Sequence, residues 1–115
     1  MAAPATAFDV PSGQELTFQE SFYEEQADGA LWARYRFVMP AIARGGDVGY
    51  AEVADDFVHL CEVYVLPGLD AEDLPVQIVI SLSDRESEFG VPTPDATQFF
   101  EAFRIENGAC IWEGF

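Results

Sequence analysis

Two cysteines and one histidine have the widest chemical range of the residues in this sequence. Cys61 and Cys110 are the cysteines of the 115-residue chain, and His59 is its histidine. Cysteine thiolates act as nucleophiles and metal ligands, and a cysteine beside a histidine can form a catalytic dyad. Carboxylates are the other abundant reactive groups, since the chain has 21 Asp and Glu residues. What these groups can do depends on the elements that position them.

The histidine and one cysteine fall in a predicted helix from residue 48 to residue 66. Apolar residues recur there at i, i+3, i+4 and i+7, the spacing of a helix with one buried face. They are Tyr50, Val53, Ala54, Phe57, Leu60, Cys61 and Tyr64. Because His59 lies on the opposite face from Cys61, the pattern argues against a Cys–His dyad. Asp47 is the expected N-cap, and Pro67-Gly68 is expected to end the helix.

The other cysteine falls in a predicted β-hairpin near the end of the sequence. Asn107-Gly108 separates the runs 97–106 and 109–114 and favours a type I′ turn. A two-residue turn sets the strand register, which puts Cys110 opposite Ile105 on the apolar face. Both cysteines therefore point inward from different elements. There they either form a disulfide or remain buried free thiols.

Two groups of acidic residues have side chains of the types that bind metal ions. Asp55, His59 and Glu62 lie at i, i+4 and i+7 on the polar face of the helix, with Asp56 beside them. A single histidine among flexible carboxylates favours a solvated polar face over a metal centre. The loop 67–75 is also acidic, but it lacks the glycine and ligand order of a calcium-binding EF-hand. No metal site is predicted.

A third polar group, Asp84 and Arg85, follows the predicted strand 76–83. That strand is rich in β-branched residues and apolar on both faces, which is typical of a central position. The Arg85 guanidinium could orient an anion or a partner carboxylate, and local ion pairing is the alternative. The sequence has no Gly-rich phosphate loop and none of the common catalytic motifs. No catalytic residue and no cofactor are therefore predicted.

A first hairpin is predicted from segments 15–23 and 31–39, where apolar and polar residues alternate. Aromatic and arginine side chains fall on the face of these strands, and of the last hairpin, that points away from the core. Trp and Arg are enriched at binding hot spots, so this face is a candidate partner-binding surface. Its residues are Trp32, Arg34, Arg36, Phe100, Arg104 and Ile111. Alternatively, another segment covers this face, such as the N-terminal arm with Phe8 and Val10.

The charge balance limits the partners that this chain can attract. Its net charge is -16, all five basic residues are arginines, and lysine is absent. Nucleic acids and anionic membranes need cationic contacts, so neither is an expected partner. No apolar run approaches the roughly 20 residues of a membrane span, so no membrane insertion is expected. The expected partner is a basic or patchily basic protein.

Together the elements predict an α+β fold in the order ββαβββ. A mainly antiparallel sheet of about five strands carries one amphipathic helix packed on one face. Residues 13–115 form this single domain, and residues 1–12, rich in Ala and Pro, form a flexible N-terminal arm. The arm has the small residues found near a signal-peptide cleavage site, which suggests an exported protein.

Three stretches resemble a family of small exported alphaproteobacterial proteins of unknown function, over about residues 11–115. They are HLCEVYVLPGL (59–69), VQIVISLSDRESEFG (76–90) and PDATQFFEAFRIENGACIWEGF (94–115). The resemblance implies a periplasmic or exported location and a structural pairing of Cys61 with Cys110. Some members carry an acetolactate synthase label, but this chain is far too short for a thiamine-diphosphate enzyme.

Three hypotheses of function follow from these observations. The first is a small, acidic, exported accessory protein or protein-binding module without enzymatic activity. The second is an acidic cytoplasmic inhibitor that mimics nucleic acid, which would need carboxylates spaced like phosphates along one surface. The third is an enzyme with a site near Asp84, Arg85 and His59.

Overall fold

The computed structural model describes residues 8–70 and 72–113, which form five strands and one helical segment. The strands are β1 (Thr17–Glu25), β2 (Leu31–Val38), β3 (Gln77–Ser83), β4 (Gln98–Glu106) and β5 (Ala109–Trp112). The helix α1 (Tyr50–His59) continues as a π-helical segment (Leu60–Val65) and ends in a 3-10 turn (Leu66–Gly68). A short 3-10 turn, Pro40–Ile42, follows β2.

The strands form one sheet in the order β1-β2-β3-β4-β5. Every neighbouring pair is antiparallel except β2 and β3, which are parallel. A parallel pair needs a long crossover between its strands, and the segment that contains α1 supplies it. The predicted α+β fold, with the order ββαβββ and a mostly antiparallel sheet, is confirmed. None of the described helical segments has the length and apolarity to cross a membrane.

The core lies between the helical segment and one face of the sheet, here called the helix face. Strand residues that point to this face are apolar and buried, as the period of two requires. They include Ala33, Phe37, Ile78, Ile80, Leu82 and Phe103. The opposite side of the sheet, the open face, carries Arg34, Arg36, Val79, Ala102 and Arg104.

A β-bulge in β1 changes the faces that the sequence pattern predicts. Simple alternation places Phe18 and Phe22 on the same face, but the register shifts between Phe18 and Glu20. Phe18 therefore lies beside Phe37 on the helix face, whereas Phe22 pairs with Arg34 on the open face. A bulge adds one residue to one strand of a pair and so reverses the facing of everything after it.

The helix begins at Tyr50, with Gly49 as its N-cap, so the prediction of Asp47 as the cap is wrong. The Glu52 carboxylate accepts a hydrogen bond from the Gly49 N–H at 2.7 Å. This contact gives the Gly49 N–H an acceptor, which it would otherwise lack at the start of the helix. The helical segment ends at Gly68, close to the predicted stop at Pro67-Gly68.

Residues 8–12 pack against the helical segment, while residues 1–7 of the predicted arm lie outside the described residues. Val10 is buried in the core, and the ring of Phe8 lies 5.4 Å from that of Phe37. The Asp56 carboxylate accepts hydrogen bonds from the Ser12 N–H at 2.9 Å and the Ser12 hydroxyl at 2.5 Å. Phe8 and Val10 therefore belong to the helix face, and the alternative in which the N-terminal arm covers the open face is excluded for these two residues.

The last hairpin has the predicted turn and register. Asn107 and Gly108 both have positive φ, 52° and 78°, as a type I′ turn requires. Cys110 lies opposite Ile105 and points to the helix face. There it forms a disulfide with Cys61, with the two Cα atoms 6.3 Å apart. The sequence left a disulfide and free thiols open, and the structure contains the disulfide.

Candidate functional site

The loop between β3 and β4, residues 84–97, folds over the β1–β2 half of the open face. The ring of Phe89 lies 4.9 Å from that of Phe22 on β1. Two hydrogen bonds attach Ser87 to the sheet. Its carbonyl accepts from the Gln19 amide at 2.8 Å, and its hydroxyl accepts from the Arg36 guanidinium at 3.1 Å. This loop is thus the segment that partly covers the face.

Two arginines of the predicted partner surface lie beneath this loop. Arg36 is only 6% exposed, forms an ion pair with Glu20 and lies 5.6 Å from the ring of Phe89. Arg34 forms an ion pair with Glu24 at 2.6 Å and lies 5.0 Å from the same ring. The Arg34 guanidinium holds the pKa of the Glu24 carboxyl below its usual range. Both arginines thus contact the loop through cation–π interactions with Phe89, while their ion pairs link β2 to β1.

The β4–β5 half of the open face is left uncovered by this loop. Phe100 is 45% exposed, Arg104 is exposed and Ile111 is half-buried. The Arg104 guanidinium forms ion pairs with Glu106 at 3.0 Å and Glu113 at 2.7 Å. The hydrogen bonds that Arg104 donates to the carboxylates of Glu113 and Glu106 raise the pKa of Arg104. The trio carries a net charge of one negative unit, so Arg104 presents no excess positive charge.

Trp32 lies at the border between the covered and uncovered halves. Strand β3 separates β2 from β4, so Trp32 and Arg104 are two strands apart, about 10 Å. Between them lies Gln77, whose Oε1 is buried and has no hydrogen-bond partner in the described part of the chain. We call the following group the uncovered patch; Phe100 and Arg104 are exposed in it, and its other members are half-buried. It consists of Trp32, Gln77, Phe100, Arg104 and Ile111.

The predicted loop site, Asp84 and Arg85, forms a local ion pair that closes the loop. The Asp84 side chain is 2% exposed and accepts hydrogen bonds from Arg85 at 3.2 Å and from the Thr97 N–H at 3.2 Å. Arg85 also donates to the carbonyl of Asp95 at 3.3 Å. The Arg85 guanidinium holds the pKa of the Asp84 carboxyl below its usual range. These contacts join the two ends of the loop to each other.

The polar residues of the helix do not converge. The His59 ring lies 6.1 Å from that of Tyr64. Glu62 accepts a hydrogen bond from the Cys110 N–H at 3.0 Å, and Asp56 is fully buried. The prediction that Asp56 lies on the solvated helix face is therefore wrong. In residues 8–70 and 72–113, no three His, Cys, Asp or Glu side chains are grouped to hold a metal ion.

The third hypothesis required His59 to lie near Asp84 and Arg85. In the described part of the chain, no hydrogen bond or ion pair links His59 to either residue. The contacts of Asp84 and Arg85 come from the loop itself, whereas His59 packs beside Tyr64 on the helical segment. The structure thus does not bring these three residues together.

Sequence reasoning missed a buried carboxylate, Glu101, which is 7% exposed on the helix face. It accepts hydrogen bonds from the hydroxyl of Tyr50 and from the Trp112 indole N–H, the latter at 2.7 Å. It thereby ties the start of α1 to β4 and β5. The signal for it was present in the sequence, since Glu101 interrupts the apolar alternation between Phe99 and Phe103.

A family model matches residues 1–115, the whole chain. The chain belongs to DUF6497, a family of unknown function. The predicted membership of an uncharacterised family is thereby confirmed. No curated protein and no solved structure gives a match.

Proposed function

We propose that this protein is a non-enzymatic binding module of an oxidising compartment outside the cytoplasm. It binds a basic protein through the uncovered patch. The observation that carries the proposal is the exposure of Phe100 on the open face, in the part of β4 that β5 does not pair with. A side chain of this size that is 45% exposed leaves roughly 90 Å² of apolar area for a partner to bury. That area is worth about 2 kcal/mol of binding free energy.

The charge distribution supports a basic partner. The five ion pairs of the described residues engage only five of the 21 carboxylates, and the remaining acids give the surface its negative charge. Because Glu106 and Glu113 offset Arg104, the patch itself does not repel a cation. Association should be accelerated by attraction between the two proteins and should slow as salt is added.

The disulfide supports the location. Disulfides persist in the periplasm and outside cells, whereas cytosolic thiols are kept reduced. The Cys61–Cys110 bridge therefore favours an exported protein over a cytoplasmic inhibitor that mimics nucleic acid. The local pairing of Asp84 with Arg85, away from His59, supports a binding role over an enzymatic one.

Site-specific photo-crosslinking in cells tests the patch. A photoreactive phenylalanine analogue would replace Phe100, and in a matched control it would replace Tyr23, a 50% exposed residue of β1. We expect an adduct with a basic protein from position 100 and none from position 23. The yield of this adduct should fall as ionic strength rises. It should also fall in Trp32→Ala, because that substitution removes a large apolar side chain of the patch.

Two results would contradict the proposal. One is crosslinking that is equal at the two positions or absent at position 100. The other is an adduct whose yield changes neither with salt concentration nor in Trp32→Ala. The location is tested by fractionating cells that express the full gene and alkylating each fraction under denaturing, non-reducing conditions. An unalkylated chain in the periplasmic fraction is expected, and a doubly alkylated cytoplasmic chain would exclude export.

A further inference from the structure

A cavity of about 200 Å³ opens on the helix face beside the N-terminal segment. Its lining consists almost wholly of aromatic rings and offers very few polar atoms. The lining residues are Phe8, Phe18, Tyr35, Phe37, Tyr64 and Val65. The cavity is remote from the uncovered patch, because the patch lies on the other side of the sheet. Whatever it binds is therefore independent of the protein partner proposed above.

The rings stand as adjoining walls and do not form a stack. Phe8 lies at 90° to Phe37 and at 86° to Tyr64, with ring centroids 5.4 Å and 4.8 Å apart. Phe18 lies at 64° to Phe37, with centroids 5.6 Å apart. Rings set at such angles can direct their negative π faces toward a common space.

Hydrogen bonds position the wall that the N-terminal segment contributes. The Asp9 N–H donates to the Tyr64 hydroxyl at 3.1 Å, which fixes the residue next to Phe8. Three residues further on, Ser12 is held by the buried Asp56 carboxylate. The cavity is thus formed before any ligand enters, which lowers the entropy cost of binding.

The lining favours one ligand chemistry. A cage of aromatic rings attracts alkylated ammonium groups, because the cation meets the negative π faces while its methyl groups bury apolar surface. The surrounding protein has a net charge of -16, which raises the local concentration of cations. The size also fits, since an apolar cavity of about 150 Å³ can hold benzene. We propose that this cavity binds the trimethylammonium group of a small molecule of the choline type.

The same features predict which related compounds bind less well. A neutral ligand of the same shape buries the same area but lacks the attraction to the π faces and to the acidic protein. Glycine betaine has the trimethylammonium group, but it adds a carboxylate that meets no cationic side chain in the lining. Choline should therefore bind more tightly than either compound.

Titration with choline, followed by NMR near neutral pH, tests this site on the disulfide-bonded full chain. The probe set is choline, glycine betaine and dimethylbutanol, the neutral analogue in which a carbon atom replaces the nitrogen. We expect the choline methyl resonance to move upfield in the ring currents of the cavity. Dimethylbutanol should bind at least about tenfold more weakly, because cation–π attraction is lost while shape is kept.

Leucine substitutions separate the cage from general attraction to an acidic surface. Phe18→Leu and Tyr35→Leu keep apolar bulk and total charge but each removes a ring, so each should weaken choline binding by about fivefold or more. Tyr35→Phe keeps the ring and should bind choline normally. Phe22→Leu is the matched control, because Phe22 is on the same strand as Phe18 but faces the other side of the sheet. Amide spectra of each variant verify that the fold is intact.

Three results would overturn the proposal. If dimethylbutanol binds as tightly as choline, the cavity is a general apolar pocket. If choline binding survives both leucine substitutions, the cation is held by diffuse surface charge. If the choline methyl resonance does not move in the unmodified protein, the cavity does not take this group. Each result is obtained without crosslinking to a protein partner. A negative result for choline therefore does not bear on the proposal that the uncovered patch binds a protein.

Discussion

Reducing the disulfide should lower the free energy of unfolding by about 4 kcal/mol. The bridge joins Cys61 to Cys110, which are 49 residues apart in the sequence. The loss comes from the unfolded chain, which gains conformations once this loop is no longer closed. Closing a loop of this size costs an entropy that, at room temperature, amounts to about 4 kcal/mol. In a domain of this length the corresponding fall in Tm is on the order of 15 °C.

The assay compares three forms of the protein in urea. These are the oxidised chain, the reduced chain and the double variant Cys61→Ala/Cys110→Ala. The reduced chain keeps both sulfur atoms in the core, so its difference from the oxidised chain measures the cross-link alone. The double variant also loses two buried sulfur atoms and should be less stable again, by about 1–2 kcal/mol. The m value should rise on reduction, because the unfolded chain exposes more surface.

A difference below about 1 kcal/mol between the oxidised and reduced chains would refute this reasoning. It would mean that the reduced, unfolded chain already keeps these segments close together. An unchanged m value would point to the same explanation. Glu62 would be expected to remain hydrogen-bonded to Cys110 in either form, since that contact uses the backbone N–H and not the sulfur.

Two substitutions of buried carboxylates give further tests. Asp56→Ala should cost about 2–3 kcal/mol by urea unfolding, because the half-buried N–H and hydroxyl of Ser12 lose their hydrogen bonds to a charged carboxylate. Asp55→Ala, its exposed neighbour, should change stability by less than about 0.5 kcal/mol. Asp84→Asn should destabilise the fold at neutral pH but not in acid. The pKa of Asp84 is lowered by Arg85, so the stability from this carboxylate is present above about pH 3.9 and is lost as the pH falls through the lowered value. The free energies of unfolding of the unmodified protein and of Asp84→Asn should therefore converge in acid. A difference that persists in acid would argue against this ion pair. Glu86→Gln is the exposed control.

Most of the fold could be predicted because its elements have strong local signals. The alternation in β2, the helical spacing around Phe57 and the Asn107-Gly108 turn each depend on residues close together in sequence. The facing of Cys110 followed from the turn, since a two-residue loop leaves only one register. The bulge in β1 was not predictable, because nothing in the sequence near Phe18 distinguishes it from regular alternation.

The candidate binding surface was predicted less well, because its exposure depends on a distant loop. Trp32, Phe100 and Arg104 are indeed on the open face, as alternation predicts. Arg34 and Arg36 are on it too, but they lie beneath Phe89 of a loop whose sequence has no periodic signal. The sequence of such a loop does not predict which face of the sheet it will cover.

The sequence by itself determined the α+β order, the inward direction of both cysteines and the strong negative charge. These properties depend on composition and on spacings of a few residues, which local backbone geometry converts directly into faces. Only the tertiary structure decided that Cys61 reaches Cys110, that Asp56 holds Ser12, and that aromatic rings from four separate segments line one cavity. Those contacts join residues that are dozens of positions apart. Their distances are set by how the helical segment and the N-terminal segment pack on the sheet, which no local pattern encodes.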